Sequence, residues 1–151
     1  MYGKNEAALL KKEFWTAFGT YLKPVLNADG QKVNWVNYKT GIKGIYFRTD
    51  VTKRAASVAV ELTHPGTERR MELFEKLIAL KPVFIEIAGS DWLWQTEVYD
   101  EEGRPISRIL IQQEPVNIFN KSDWPAIISF FKQHLIALDA FWSAAKAYFE
   151  D

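Results

Sequence analysis

The chain contains no cysteine. Without a thiol there is no disulfide framework, no thiolate zinc site, no iron–sulfur cluster and no cysteine nucleophile. Histidine is nearly as scarce: His64 and His134 are the two present, so a histidine-based metal centre or catalytic triad has little material. His64 precedes Pro65 at an expected helix entry, which suits a capping or exposed residue better than a catalytic one. His134 falls among polar positions of the expected last helix and reads as solvated. No stretch approaches the roughly 18 uninterrupted apolar residues of a membrane-spanning helix. The start, Met1-Tyr2-Gly3-Lys4-Asn5-Glu6, lacks the apolar run of a secretion signal. The expectation is a cytoplasmic protein with no membrane partner. Gly41, Gly44, Gly66, Gly89 and Gly103 are scattered at expected turns, never in a P-loop or GxGxxG arrangement, so nucleotide binding has no motif support and no cofactor is implied.

Net charge is also missing, with 19 Lys/Arg against 19 Asp/Glu. The balance hides an asymmetry: residues 1–81 hold fourteen basic and eight acidic side chains, and residues 82–151 hold five and eleven. Either the halves interleave in space and cancel, or the first half presents a basic face to an anionic partner.

What the chain has is apolar mass. Of 151 residues 48% are hydrophobic and 15% aromatic, enough to drive collapse into one domain spanning 1–151 that buries about two thirds of its unfolded surface. Leu10, Phe14, Ala17, Phe18, Tyr21 and Leu22 recur at three- and four-residue steps, predicting a helix over 6–22 that Pro24 and Asn27-Ala28-Asp29-Gly30 end. The period then changes. Val33–Tyr38, Gly44–Val51 and Ala55–Thr63 are rich in β-branched and aromatic residues and predict a three-strand antiparallel meander. With Thr52-Lys53 as a two-residue turn, Phe47 faces Val58 and Ile45 faces Val60; a turn at Thr40-Gly41 sets Val36 opposite Ile45. One face then carries Val36, Tyr38, Ile45, Phe47, Val58, Val60 and Leu62, and the other Trp35, Asn37, Tyr46, Arg48, Asp50, Ser57, Ala59 and Glu61.

Met71, Phe74, Leu77 and Ile78 predict a second helix entered at Thr63-His64-Pro65-Gly66 and ending near Leu80. Val83–Ala88 fits a strand by composition or a short helix closed by Gly89, and the helix is the preferred reading. Trp92–Tyr99 and Pro105–Gln113 flank Asp100-Glu101-Glu102-Gly103, a hairpin loop with glycine where positive φ is needed. Ser122 or Asp123 then caps a long helix whose apolar stripe runs from Trp124 through Ile127, Phe131, Leu135, Leu138 and Trp142 to Phe149, roughly 40 Å at about 1.5 Å per residue. The fold class is therefore α+β: an antiparallel sheet of about five strands with N-terminal, middle and long C-terminal helices.

Three constellations bear on function. Asp50 and Glu61 on adjacent strands are the residue types of a nuclease metal pair, but Glu61-Leu62-Thr63 lacks the lysine of a Glu-x-Lys motif. In the expected register Asp50 pairs with Ala55, which puts the two carboxylates about 20 Å apart at ~3.3 Å per residue, whereas ligands of one Mg²⁺ approach it within about 2.1 Å. No catalytic or metal-ligating set is singled out. Trp35, Tyr46 and Arg48 share a sheet face, with Lys39 and Lys43 at its edge, and form the candidate binding face. Such a mixture stacks bases of single-stranded nucleic acid, unless helices cover it as core. Finally, the aromatic surplus and the long last helix suit a homodimer interface.

Several segments carry a resemblance: Glu13-Phe14-Trp15-Thr16-Ala17-Phe18 with Tyr21-Leu22, Val60-Glu61-Leu62, Leu73-Phe74, Leu93-Trp94-Gln95, Ser107-Arg108-Ile109 and Asp123-Trp124-Pro125. In order and spacing the chain resembles a bacterial and archaeal family of unknown function, whose domain often follows a restriction-endonuclease-like domain in larger proteins. The resemblance implies no catalytic residues. It implies an accessory module working near nucleic acid or a nuclease-type partner.

Overall fold

The computed structural model describes residues 3–150. In chain order the elements are α1 Lys4–Leu22, β1 Ile45–Val51, β2 Ala56–Leu62, α2 Thr67–Ala79, α3 Lys81–Ala88, β3 Leu93–Tyr99, β4 Pro105–Gln113 and α4 Trp124–Ala145. Short 3₁₀ turns, Lys121–Asp123 and Lys146–Phe149, flank α4. Among the described residues the sheet has four antiparallel strands in the order β1-β2-β4-β3. The two hairpins join through β2 and β4, so the strands of the basic half and of the acidic half lie side by side and meet at that one seam.

The expected fifth strand, Val33–Tyr38, is a loop. Its alternation is real, but Asn34 Oδ1 accepts the amides of Val36 and Asn37, both at 3.1 Å, and this local turn replaces a strand ladder. Trp35 is buried, with its indole N–H donating to the Val25 carbonyl at 2.9 Å. The β1–β2 turn also differs from expectation. Thr52 Oγ1 accepts the amides of Arg54 and Ala55, both at 3.1 Å, so the loop has four residues and Phe47 pairs with Val60, not Val58. The slip is two residues, an even number, and each side chain keeps its expected face.

All helices lie on one side of the sheet. Phe47 meets Trp142 of α4 at 5.9 Å between ring centroids. Trp94 of β3 meets Phe74 of α2 at 6.3 Å and Phe84 of α3 at 5.2 Å. The first helix rides on α4, with Phe14 and Phe18 at 6.1 and 5.4 Å from Phe131. One cluster of buried residues therefore runs from Phe14 through Val58, Val60 and Ile109 to Phe149. Val36, expected beneath the last helix, is exposed.

The second helix buries Arg70, Leu73, Phe74 and Leu77; Ile78 of the expected stripe is exposed, because Arg70 turns inward. Its guanidinium donates to Ser107 Oγ at 2.8 Å and to Glu97 Oε1 at 2.8 Å, holding the irregular stretch of β3 between Gln95 and Val98. His64 caps the approach to α2 by accepting the Gly66 amide at Nδ1, 3.0 Å. At the other long helix the expected caps act elsewhere: Asp123 Oδ2 accepts the Asn117 amide at 2.9 Å, and Asn120 accepts from Ser122. His134 is half-buried where a solvated residue was expected. It packs against Phe130 and Trp92, at 4.7 and 5.6 Å, with Nδ1 buried and unpartnered. The connection between α1 and β1 is strapped to α4: Asp139 accepts from the Ala28 amide (2.6 Å) and the Tyr38 hydroxyl (2.5 Å), and Trp142 Nε1 donates to the Thr40 carbonyl (2.8 Å).

Candidate binding face

With every helix on one side, the other face of the sheet is bare. It is built from alternate residues: Tyr46, Arg48 and Asp50 of β1; Ser57, Ala59 and Glu61 of β2; Arg108 and Leu110 of β4. The α2 entry (His64, Thr67) and the hairpin tip (Tyr99–Glu102) rise at its margins and make a groove of about 900 Å³.

Tyr46 and Arg48 are next neighbours on this face, with the guanidinium carbon 4.5 Å from the centre of the phenol ring. Arg48 Nε also lies 3.5 Å from Glu61 Oε1. Trp35 does not join them, since the loop that holds it lies off the sheet. It lines a separate, shallower recess with Gly19, Lys23 and Val36. The aromatic and basic pair expected from alternation is thus brought together on β1 and the tryptophan is not.

Three of the groove's four arginines face carboxylates: Arg48 faces Glu61; Arg104 pairs with Asp100 at 3.1 Å and Glu102 at 2.9 Å; Arg70 pairs with Glu97 at 2.8 Å. Arg108 Nε donates to the neutral amide of Gln95, at Oε1, 2.8 Å. Burial pushes the Glu61 carboxyl above its ordinary range, and Arg48 and Arg108 offset part of that rise. Asp100 is held below its ordinary range chiefly by the Arg104 amide. The groove is a mixed-charge surface with its aromatic residues, Tyr46 and Tyr99, at its margins.

Asp50 pairs with Ser57, four residues before Glu61 on β2, so their backbones are about 13 Å apart at ~3.3 Å per residue. Among the described residues no three His, Asp or Glu side chains are grouped to hold a metal ion, and no helix is long and apolar enough to cross a membrane. Arg108 and Gln95 were not legible as members of this face. Their membership depends on β4 pairing with β2, a contact between residues about fifty apart in sequence.

A family model described as a domain of unknown function, DUF4268, matches residues 10–146, and the chain belongs to that family. A search of curated proteins gives no match. A search of solved structures likewise gives none.

Proposed function

We propose that this member of the family is a non-catalytic accessory module that docks a nuclease-type protein on its open sheet face. The observation that carries the reading is the placement of all helices on the opposite face, which leaves Tyr46 and Arg48 exposed on the β1 side of a bare groove. Tyrosine and arginine carry much of the energy of protein interfaces. Compensated charge also suits a protein surface better than a phosphate backbone, which would have to draw Arg48 from Glu61 and Arg104 from Asp100. The nuclease class of the partner rests on the resemblance to proteins in which such a domain follows a restriction-endonuclease-like one.

The stacked Tyr46–Arg48 pair favours a second reading, single-stranded nucleic acid bound by stacking. A divergent metal-dependent nuclease would require carboxylates other than Asp50 and Glu61 to converge.

Calorimetric titration of the purified chain with the restriction-endonuclease-like domain of a longer relative tests the first reading, and titration with single-stranded oligonucleotides tests the second. The first predicts binding to the protein that weakens by about tenfold or more in Tyr46→Ala and Arg48→Ala. No binding, or binding indifferent to both substitutions, overturns it. Oligonucleotide binding that depends on both residues assigns the face to nucleic acid instead.

A further inference from the structure

The two free edges of the sheet differ. The β3 edge is irregular between Gln95 and Val98, which spoils it as a template for another strand. The β1 edge, Ile45-Tyr46-Phe47-Arg48-Thr49-Asp50-Val51, pairs with β2 without a break. It contains no proline, no bulge and no inward-pointing charge, devices that blunt an exposed edge, and its two charged residues, Arg48 and Asp50, are of opposite sign.

Its hydrogen-bonding phase can be read from its ends. Thr63 N–H donates to the Gly44 carbonyl at 2.9 Å and Thr52 N–H to the Ala55 carbonyl at 2.8 Å, so the even-numbered residues of β1 bond toward β2. The odd-numbered residues turn their amides and carbonyls outward. Those of Ile45 are taken, the amide by the Ile42 carbonyl and the carbonyl by Thr40 Oγ1. Among the described residues nothing bonds to those of Phe47, Thr49 and Val51.

We propose that β1 pairs with β1 of a second copy, antiparallel about a two-fold axis through Thr49, to make one continuous eight-stranded sheet. Hydrogen bonding and charge together select this register. A second copy of the same strand can meet the outward groups in phase with the axis at any residue from Phe47 to Val51. Axes at Phe47 and Val51 leave two of the three outward residues facing Ile45, whose groups are taken, or residues beyond the strand. An axis at Arg48 sets Arg48 opposite Arg48, and one at Asp50 sets Asp50 opposite Asp50. Cross-strand like charges are destabilising. The axis at Thr49 sets Arg48 of each copy opposite Asp50 of the other on the open face, and sets Phe47 opposite Val51 on the covered face. All three outward residues are then bonded. This inference uses the strand edge and stands whether or not a nuclease-type protein occupies the groove, which the dimer would double in width.

Sedimentation velocity over about 1–500 µM, the range in which a weak dimer assembles, tests it with four variants. The wild-type chain is expected to shift from monomer to dimer. Thr49→Pro removes an outward N–H, and proline is tolerated on an edge strand, so it should keep the fold and weaken the dimer by about tenfold or more. Arg48→Asp and Asp50→Arg each place like charges across the axis and should weaken it comparably. The double exchange, Arg48→Asp with Asp50→Arg, restores opposite charges and should restore the dimer. A wild-type chain that stays monomeric throughout overturns the proposal, as does a dimer that tolerates either single charge reversal or one that the double exchange fails to rescue. Thermal melts establish that each variant is folded, and the charge pair decides the matter if Thr49→Pro is not.

Discussion

Replacing Asp139 by alanine should release the strap that carries the chain from α1 to β1. Asp139 lies on α4 and is 4% exposed, yet it accepts two hydrogen bonds from distant residues, the Ala28 amide at 2.6 Å and the Tyr38 hydroxyl at 2.5 Å. A hydrogen bond to a charged group contributes about 1.5–3 kcal/mol. The carboxylate's own desolvation is relieved on removal, so the expected net loss is about 2–4 kcal/mol. In a urea titration followed by tryptophan fluorescence, with a slope of about 2 kcal/mol/M, the midpoint should fall by about 1–2 M. Asp139→Asn keeps the shape but presents an NH₂ to one donor, and should lose roughly half as much. The Tyr38→Phe and Asp139→Ala cycle should show a coupling of about 1–2 kcal/mol. Burial, and then the Asp139 carboxylate, hold the Tyr38 phenol well above its ordinary value of 10.0. The native state thus keeps a proton that the unfolded chain releases near pH 10, so this contribution is whole below that pH and is lost progressively as pH rises from there toward the raised native value. Tyr38→Phe should remove that part of the alkaline fall. A loss under about 0.5 kcal/mol for Asp139→Ala, or zero coupling to Tyr38, would refute the strap.

Burial against Phe130 and Trp92 holds the His134 imidazole below its ordinary value of 6.5. The unfolded chain therefore takes up a proton first as pH falls past 6.5, and stability should drop from pH 7 to pH 5.5 by less than about 1.4 kcal/mol per pH unit, the limit for one proton. His134→Phe should lessen the drop, and an unchanged pH profile would contradict this. Arg70→Ala removes the buried guanidinium that holds Ser107 and the half-exposed Glu97 and should cost about 1.5–3 kcal/mol in urea denaturation; a loss below about 0.5 kcal/mol would show the guanidinium to be dispensable. Ending the chain at Phe131 removes Leu135, Leu138, Phe141, Trp142, Ala145 and Phe149, all buried. Such a chain should give no cooperative melt by circular dichroism, and one melting near the wild-type temperature would contradict the role of α4 as the lid of the sheet.

Helices were legible wherever an apolar stripe was long enough to fix one period, as in α1 and α4. The faces of β1 and β2 were legible despite a wrong turn length, because a two-residue slip preserves which side chains point inward. Val33–Tyr38 misled because alternation does not reveal that Asn34 bonds its own neighbours. Tyr46 and Arg48 could be placed together because they alternate on one strand, whereas Trp35 depended on the misread segment. The inward turn of Arg70 was hidden, since its partners Glu97 and Ser107 come from another hairpin. The same non-local pairing hid Arg108 and Gln95.

A cysteine-free chain allows one measurement that bears directly on the bare face and on the docking proposed for it. Ser57→Cys places a thiol within the groove, and Val58→Cys places one beneath the helices, where Val58 is fully buried. With a maleimide dye, Ser57→Cys should label readily in the free chain and become protected when the restriction-endonuclease-like domain proposed as its partner is saturating, while Val58→Cys stays unlabelled in both states. A Ser57→Cys thiol that is blocked in the free chain, or that labels at an unchanged rate in the saturated complex, would contradict the account.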